Sequence, residues 1–199
     1  KCPANCLGCD LGKSFSAPAK AGSSSAVQEE YGDELLVVCD ISGPHVLGAG
    51  NVRWLFVLRL PKRNLWFLRA TSDKLSTTWL QVLHAARIEW RLLDTEDWVL
   101  KTDREGLLKT PEVELYLAKS RGRPHRGIPH EHNSNAQGEN AVRQACDGVR
   151  ALLGHSNVPL VFWPFAAAAW YVHMNLRQDH APRSNACNRF IKPTGWLAC

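Results

Sequence analysis

Trp98-Val99-Leu100-Lys101-Thr102-Asp103 is an apolar, strand-forming run that ends on a carboxylate. Leu35-Leu36-Val37-Val38-Cys39-Asp40, some sixty residues earlier, has the same character and the same acidic ending. Both read as buried strands. If they are parallel neighbours, Asp40 and Asp103 share one edge of a sheet, and open sheets hold ligands at the carboxyl ends of their strands. After Asp103, 35 residues intervene before Glu139, which opens the helical pattern Glu139-Asn140-Ala141-Val142-Arg143-Gln144-Ala145-Cys146. Three acids at the ends of three elements decide the reading of everything around them.

The remaining chain supplies strands and helices in an order that fits a single α/β domain. Strands are expected over 34–41, 52–60 and 64–70, the last two joined as an antiparallel hairpin by Pro61-Lys62-Arg63. Thr71-Ser72-Asp73 offers helix N-cap residues, and Leu75, Trp79, Val82, Leu83 and Ala86 follow at helical spacing. A strand over 98–102 leads to a helix over 111–120 opened by Pro111. A short strand falls within 121–129, and helices cover 139–154 and 159–176, the former with an interior glycine, Gly148. A hairpin followed by alternating helix and strand predicts a mixed sheet with helices on its faces.

The 199 residues suffice for one sizeable core. Hydrophobic and charged fractions of 45% and 22% are those of an ordinary globular domain. No apolar run reaches the ~20 residues of a membrane span; the nearest, 159–172, is broken by Pro164. Seven scattered cysteines, an odd number, argue against a disulfide framework and for a reducing compartment. The net charge of +5 permits a polyanionic partner without demanding one. The chain begins at Lys1, without Met or signal peptide, and reads as a piece of a longer protein. Residues 14–30, rich in Ser, Ala and Gly, read as a linker, with the main domain over 31–176 and a tail over 177–199.

Within the Glu139 helix, 100° per residue puts Val142, Ala145, Cys146, Val149, Leu152 and Leu153 on a core-facing stripe. Glu139 then sits on the seam between core and solvent, with Arg143 and Arg150 beside it, a suitable setting for a metal-binding carboxylate next to a phosphate backbone. A solvated charged face is the plain alternative for the arginines. Carboxylates gathered within ~4 Å repel by several kcal/mol per pair unless a cation neutralises them. Hard oxygen donors without thiolate or imidazole select Mg²⁺ or Mn²⁺.

The residues flanking the three acids carry a family resemblance. Asp40-Ile41-Ser42-Gly43-Pro44 resembles the D-x-x-G-P at the first acid of retroviral-type integrases. Thr102-Asp103-Arg104-Glu105-Gly106 is similar to the segment around their second acid, and Ser134-Asn135-Ala136-Gln137-Gly138-Glu139-Asn140 to their S-N-G-x-x-E-N. The Asp103–Glu139 gap matches their D,D-35-E spacing. Pro159-x-x-Phe162-Trp163-Pro164-x-Ala166-Ala167 resembles the P-x-x-F-W-x-x-A of integrases of copia-type LTR retrotransposons. Cys6-x-x-Cys9-x-x-Gly12-Lys13 is similar to the closing half of their His-His-Cys-Cys zinc module, making 1–13 a remnant of that module.

The resemblance implies a ribonuclease-H-like fold, a mixed five-stranded sheet flanked by helices, with Asp40, Asp103 and Glu139 binding two Mg²⁺ (or Mn²⁺). It implies an enzyme that trims the 3′ ends of element DNA and joins them to a target duplex. Such an enzyme works as a homo-oligomer in the nucleus, after synthesis within a cytoplasmic polyprotein. Two metals ~3.5–4 Å apart suit in-line phosphodiester displacement. Lys119, Arg121, Arg123 and Arg126, the densest basic stretch, together with Arg143, Arg150 and Asn135, are the candidate DNA contacts.

The chain also departs from the family's pattern. Ala136 stands where glycine is usual, Glu105 adds an acid near the second aspartate, and no zinc-module histidine precedes His45. These departures leave two rivals open, an inactive relic that only binds nucleic acid or protein partners and a plain nuclease of the same fold. A CxxC is half of a zinc site, so Cys6 and Cys9 either bind Zn²⁺ with ligands from a longer chain or are idle thiols. His130-Glu131-His132 has no further ligand nearby and reads as loop. Of the eight tryptophans, Trp54, Trp66, Trp79, Trp98 and Trp163 sit in apolar patterns and are expected in the core. Cys39 and Cys146 read as buried, inert thiols.

Overall fold

The computed structural model describes residues 34–92, 96–103, 108, 110–125 and 136–177. The expected zinc-module remnant, linker and C-terminal tail beyond Arg177 lie outside these residues, as does the His130-Glu131-His132 triplet.

Strands β1 (Leu35–Ser42), β2 (Trp54–Leu60) and β3 (Leu65–Thr71) form an antiparallel meander. The β2–β3 link is the short 3-10 turn Pro61–Arg63, closed by Asn64 at φ 51°, a left-handed conformation that asparagine tolerates. Helix α1 (Ser76–Glu89) crosses to β4 (Trp98–Lys101), and α2 (Pro111–Lys119) to β5 (Gly122–Pro124). Helices α3 (Ala136–Ser156) and α4 (Trp163–Leu176) complete the fold. The sheet order is β3-β2-β1-β4-β5, with β4 and β5 parallel to β1. This is the mixed five-stranded sheet flanked by helices that the sequence predicts.

Alternation along the strands sorts the core into two layers. Leu35, Val37 and Cys39 of β1, with Phe56, Leu58 and Phe67, pack against Trp79, Val82, Leu83 and Ala86 of α1 and Val113 and Leu117 of α2. The opposite face presents Leu55, Val57, Trp66 and Leu68 to Ala141, Ala145, Val149 and Leu153 of α3 and Trp163, Ala167 and Trp170 of α4.

Several local expectations change. Thr71-Ser72-Asp73 does not cap α1: Leu75 holds the N-cap position, without a side-chain cap. Asp73 instead closes the preceding turn, accepting from the Leu75 N–H at 3.1 Å and from Thr78 Oγ1 at 2.6 Å. Those bonds, Thr78's first, hold its carboxyl below the usual range. Leu75, expected on the buried stripe, is 62% exposed because the helix begins after it. Trp54 is only partly buried, with Lys74 Nζ 4.3 Å from its ring centroid, whereas Trp90 is fully buried. Ala141, absent from the expected stripe of α3, belongs to the core, while Val142, Cys146 and Leu152 lie at its margin.

Candidate metal and nucleic-acid site

In the β1–β4 ladder the last pair is Val38 with Lys101. Two residues farther along each chain stand Asp40, still within β1, and Asp103, just past the end of β4. The parallel register thus brings both aspartates to the carboxyl end of adjacent strands. Asp40 pairs across β1–β2 with Val57, a residue of the α3-side core, and paired residues share a face. Its side chain therefore leaves the sheet on the side that α3 covers. Asp40 is half-buried and Asp103 exposed. The Ile41 N–H donates to Asp40 Oδ1 at 2.7 Å, a local bond that orients the carboxylate.

The turn after Asp40 explains its Gly-Pro. Gly43 has φ +128°, and a Cβ there would stand 2.7 Å from the Arg53 carbonyl oxygen. Only glycine fits both the conformation and the space. Ala136 raises no such difficulty: it is the first residue of α3, not a turn residue.

Glu139 lies in the first turn of α3, exposed at the seam, and Arg143 and Arg150 are exposed on the same side. Arg143 donates to Asn140 Oδ1 at 2.8 Å and Arg150 to Asp147 Oδ1 at 2.9 Å. Seven residues on from Glu139, 20° short of two full turns, Cys146 shares its stripe. Cys146 Sγ meets Ser42 Oγ at 3.7 Å in a hydrogen bond that ties α3 to β1. Burial pushes the Cys146 thiol up, the Ser42 bond opposing. This contact was not singled out from the sequence. Its only signals there are the two-residue step from Asp40 to Ser42 and the heptad step from Glu139 to Cys146.

Among the described residues no three side chains of His, Cys, Asp or Glu stand close enough together to hold a metal ion. The structure aligns the two aspartates and sets Glu139 on the helix that packs over β1 and β2, without closing the trio. The donor chemistry nonetheless fits a hard divalent cation. Mg²⁺ is commonly held by one or two carboxylates, with water and substrate phosphates completing its shell.

The basic stretch is placed elsewhere. Gly122 pairs with Trp98 and Arg123 with Val99, so Arg121 and Arg123 lie near the amino end of β4. Arg121 forks onto Asp97, Nε–Oδ1 at 2.8 Å and Nη2–Oδ2 at 3.2 Å. Arg123 forks onto Glu34, with Nε–Oε1 at 2.8 Å, and holds that carboxyl below its ordinary value. From Asp97 to Asp103 is about 20 Å of extended chain at ~3.3 Å per residue. Arg121 and Arg123 therefore flank the opposite sheet end from Asp40 and Asp103. Lys119 is exposed near them, whereas Arg126, Asn135, Cys6 and Cys9 lie outside the described residues.

No family model matches this chain, and no curated protein matches it. Among solved structures it is similar to a chain of the simian T-cell lymphotropic virus intasome, solved by cryo-EM with the PP2A regulatory subunit B56 gamma. That TM-score is 0.56 at 11% identity over 84% of this chain. This chain spans 57% of the intasome chain's length. A second match is the catalytic core domain of BIV integrase, with TM-score 0.49 and 15% identity over 75% of this chain and 85% of that one. The fold is ribonuclease-H-like.

Proposed function

We propose that this chain is the catalytic core of a metal-dependent DNA-strand transferase of integrase type, from a copia-type LTR retrotransposon polyprotein. The observation that carries the reading is the parallel β1–β4 register, which brings Asp40 and Asp103 to the ends of adjacent strands, with the helix bearing Glu139 packed over β1. In this reading Asp40, Asp103 and Glu139 would between them hold two Mg²⁺ or Mn²⁺ ions. Bound there, the metal supplies Lewis-acid activation of the attacking and leaving oxygens of a phosphodiester.

The residues of the chain do the rest. Asp40, oriented by the Ile41 N–H, holds its charge at the strand end. Arg143 and Arg150, on the seam that carries Glu139, neutralise phosphates and align the DNA strand along α3. Element ends and target duplex are the DNA partners, two copies or more of the chain hold the two ends together, and the nucleus is the place of action. Zn²⁺ at Cys6 and Cys9 belongs to a longer chain that brings further ligands.

A relic that binds nucleic acid without turning it over is the second reading. It draws on the absence, among the described residues, of three ligating side chains gathered together. Incubating the protein with a labelled 3′-hydroxyl end and a second duplex, in Mn²⁺ and in chelator, separates the readings. Joining in Mn²⁺ that disappears with Asp40→Asn supports the transferase. Nicking without joining indicates a plain nuclease, and DNA binding with neither reaction indicates the relic.

A further inference from the structure

The Ser42–Cys146 contact connects the two elements that carry Asp40 and Glu139. On β1, Ser42 is two residues beyond Asp40 and on the same face, about 7 Å away along the strand. On α3, Cys146 is seven residues beyond Glu139 and on the same stripe, about 10 Å along the axis. Elsewhere α3 shares an apolar core with the sheet, Ala141 and Ala145 clustering with Leu55 and Val57 of β2. Apolar contact is non-directional and sets no hydrogen-bond register between α3 and β1. A hydrogen bond between Ser42 Oγ and Cys146 Sγ at 3.7 Å, part-buried, is directional and sets both the height and the roll of α3 over β1. Because Asp40 shares β1 with Ser42 and Glu139 shares α3 with Cys146, a shift of α3 about this tie moves Glu139 relative to Asp40.

We infer that Ser42 and Cys146 are positioning residues for the carboxylate site: their hydrogen bond fixes α3 so that Glu139 can join Asp40 and Asp103 in holding metal. The inference rests on the metal-site reading above. Neither residue touches the metal. Groups that orient ligands from outside the coordination sphere commonly change metal affinity 10- to 100-fold when removed.

The test is Mn²⁺ binding to the DNA-free protein, followed by electron paramagnetic resonance, with chelator-treated thermal melts as the control for folding. Cys146→Ala and Ser42→Ala each weaken Mn²⁺ binding about 10-fold while the metal-free melting temperature stays near that of the parent. The double variant is no weaker than either single one, because both remove the same bond. Cys146→Ser, which keeps a hydroxyl in hydrogen-bonding reach, restores binding to within about threefold. If the two single variants bind Mn²⁺ like the parent, or their losses simply add, while Asp40→Asn abolishes binding, the positioning role is overturned and the metal site stands. If Asp40→Asn leaves Mn²⁺ binding unchanged, the metal-site reading falls and this inference falls with it. Should the alanine at 146 unfold the chain, Ser42→Ala and Cys146→Ser decide the matter by themselves.

Discussion

Trp170 of α4 lies against Gly148 of α3 so closely that a methyl group on the glycine would overlap the indole nitrogen. In sequence Gly148 reads only as a weak point, costing about 1 kcal/mol relative to alanine in a helix interior. The structure shows its use: the missing side chain lets Trp170, stacked edge-on to Trp66 at 5.1 Å, close the α3–α4–β3 core. Gly148→Ala therefore destabilises the protein by about 1–3 kcal/mol through overpacking, outweighing the gain in helix propensity. Urea denaturation checks the sign. A stabilised variant would mean the indole swings away freely.

Asn175 acts as a substitute strand at the open edge of the sheet. The Trp66 N–H donates to Asn175 Oδ1, and Asn175 Nδ2 donates to the Trp66 carbonyl, both at 2.8 Å. Asn175→Ala leaves the Trp66 N–H without that partner and its carbonyl with only the longer Trp90 Nε1 bond at 3.4 Å, and costs about 1–3 kcal/mol. Hydrogen exchange at the Trp66 amide should quicken by more than the global loss of stability requires. Unchanged exchange would show that the amide pairing contributes nothing.

Tyr171 reaches around the same edge, its hydroxyl donating to Glu89 Oε2 at 3.3 Å. Burial raises Glu89, opposed by the Tyr171 bond, and burial together with the Glu89 charge pushes Tyr171 up to about 12. A carboxyl raised on folding contributes stability that is full below its unfolded value and lost as pH rises through the folded one. Stability attributable to Glu89 thus declines as pH climbs from about 4.5. Glu89→Gln flattens that decline and stabilises the protein at neutral pH relative to acid pH. The Tyr171 contribution persists below pH 10 and is lost as pH rises through about 12. In ultraviolet titration, Glu89→Gln lowers the Tyr171 midpoint, which stays above 10 because burial, its largest cause, remains.

The two groups of arginines differ in which end of the sheet they flank, although Arg150 too meets a carboxylate, Asp147 Oδ1 at 2.9 Å. Arg121 and Arg123 fork onto carboxylates near the amino end of the sheet, whereas Arg143 and Arg150 lie along the Glu139 seam. Replacing Arg143 or Arg150 with alanine lowers the slope of log affinity for DNA against log salt by about one each. Replacing Arg123 leaves the slope unchanged. Equal effects from both groups would place the DNA across the whole molecule.

Much of this molecule is legible in the sequence because its strongest signals are local. The strand runs ending at Asp40 and Asp103 and the 3.6-residue period after Glu139 depend on neighbours along the chain. They fall within a few residues of where the pattern puts them. What escapes is set by register and by partners far away. Whether Arg121 faces a phosphate or Asp97 depends on how β5 aligns with β4. Whether Leu75 is buried depends on where α1 begins, which Asp73 delays by closing a turn of its own. The role of Gly148 is invisible without Trp170. Asp40 and Asp103 could be aligned from sequence because parallel strands of matching pattern end together. The placement of Glu139 depends on the pose of a helix, which no spacing specifies.

The central claim is that divalent metal binds at the strand-end aspartates and the helix-borne glutamate. Crystals of the protein soaked in Mn²⁺ test it most directly, through the anomalous signal of the metal. The account predicts a Mn²⁺ ion in contact with carboxylate oxygens of both Asp40 and Asp103, with Glu139 turned toward the same site, and no ion there in Asp103→Asn crystals. Manganese bound elsewhere while Asp40 and Asp103 remain bare, or a peak unaffected by Asp103→Asn, would contradict it.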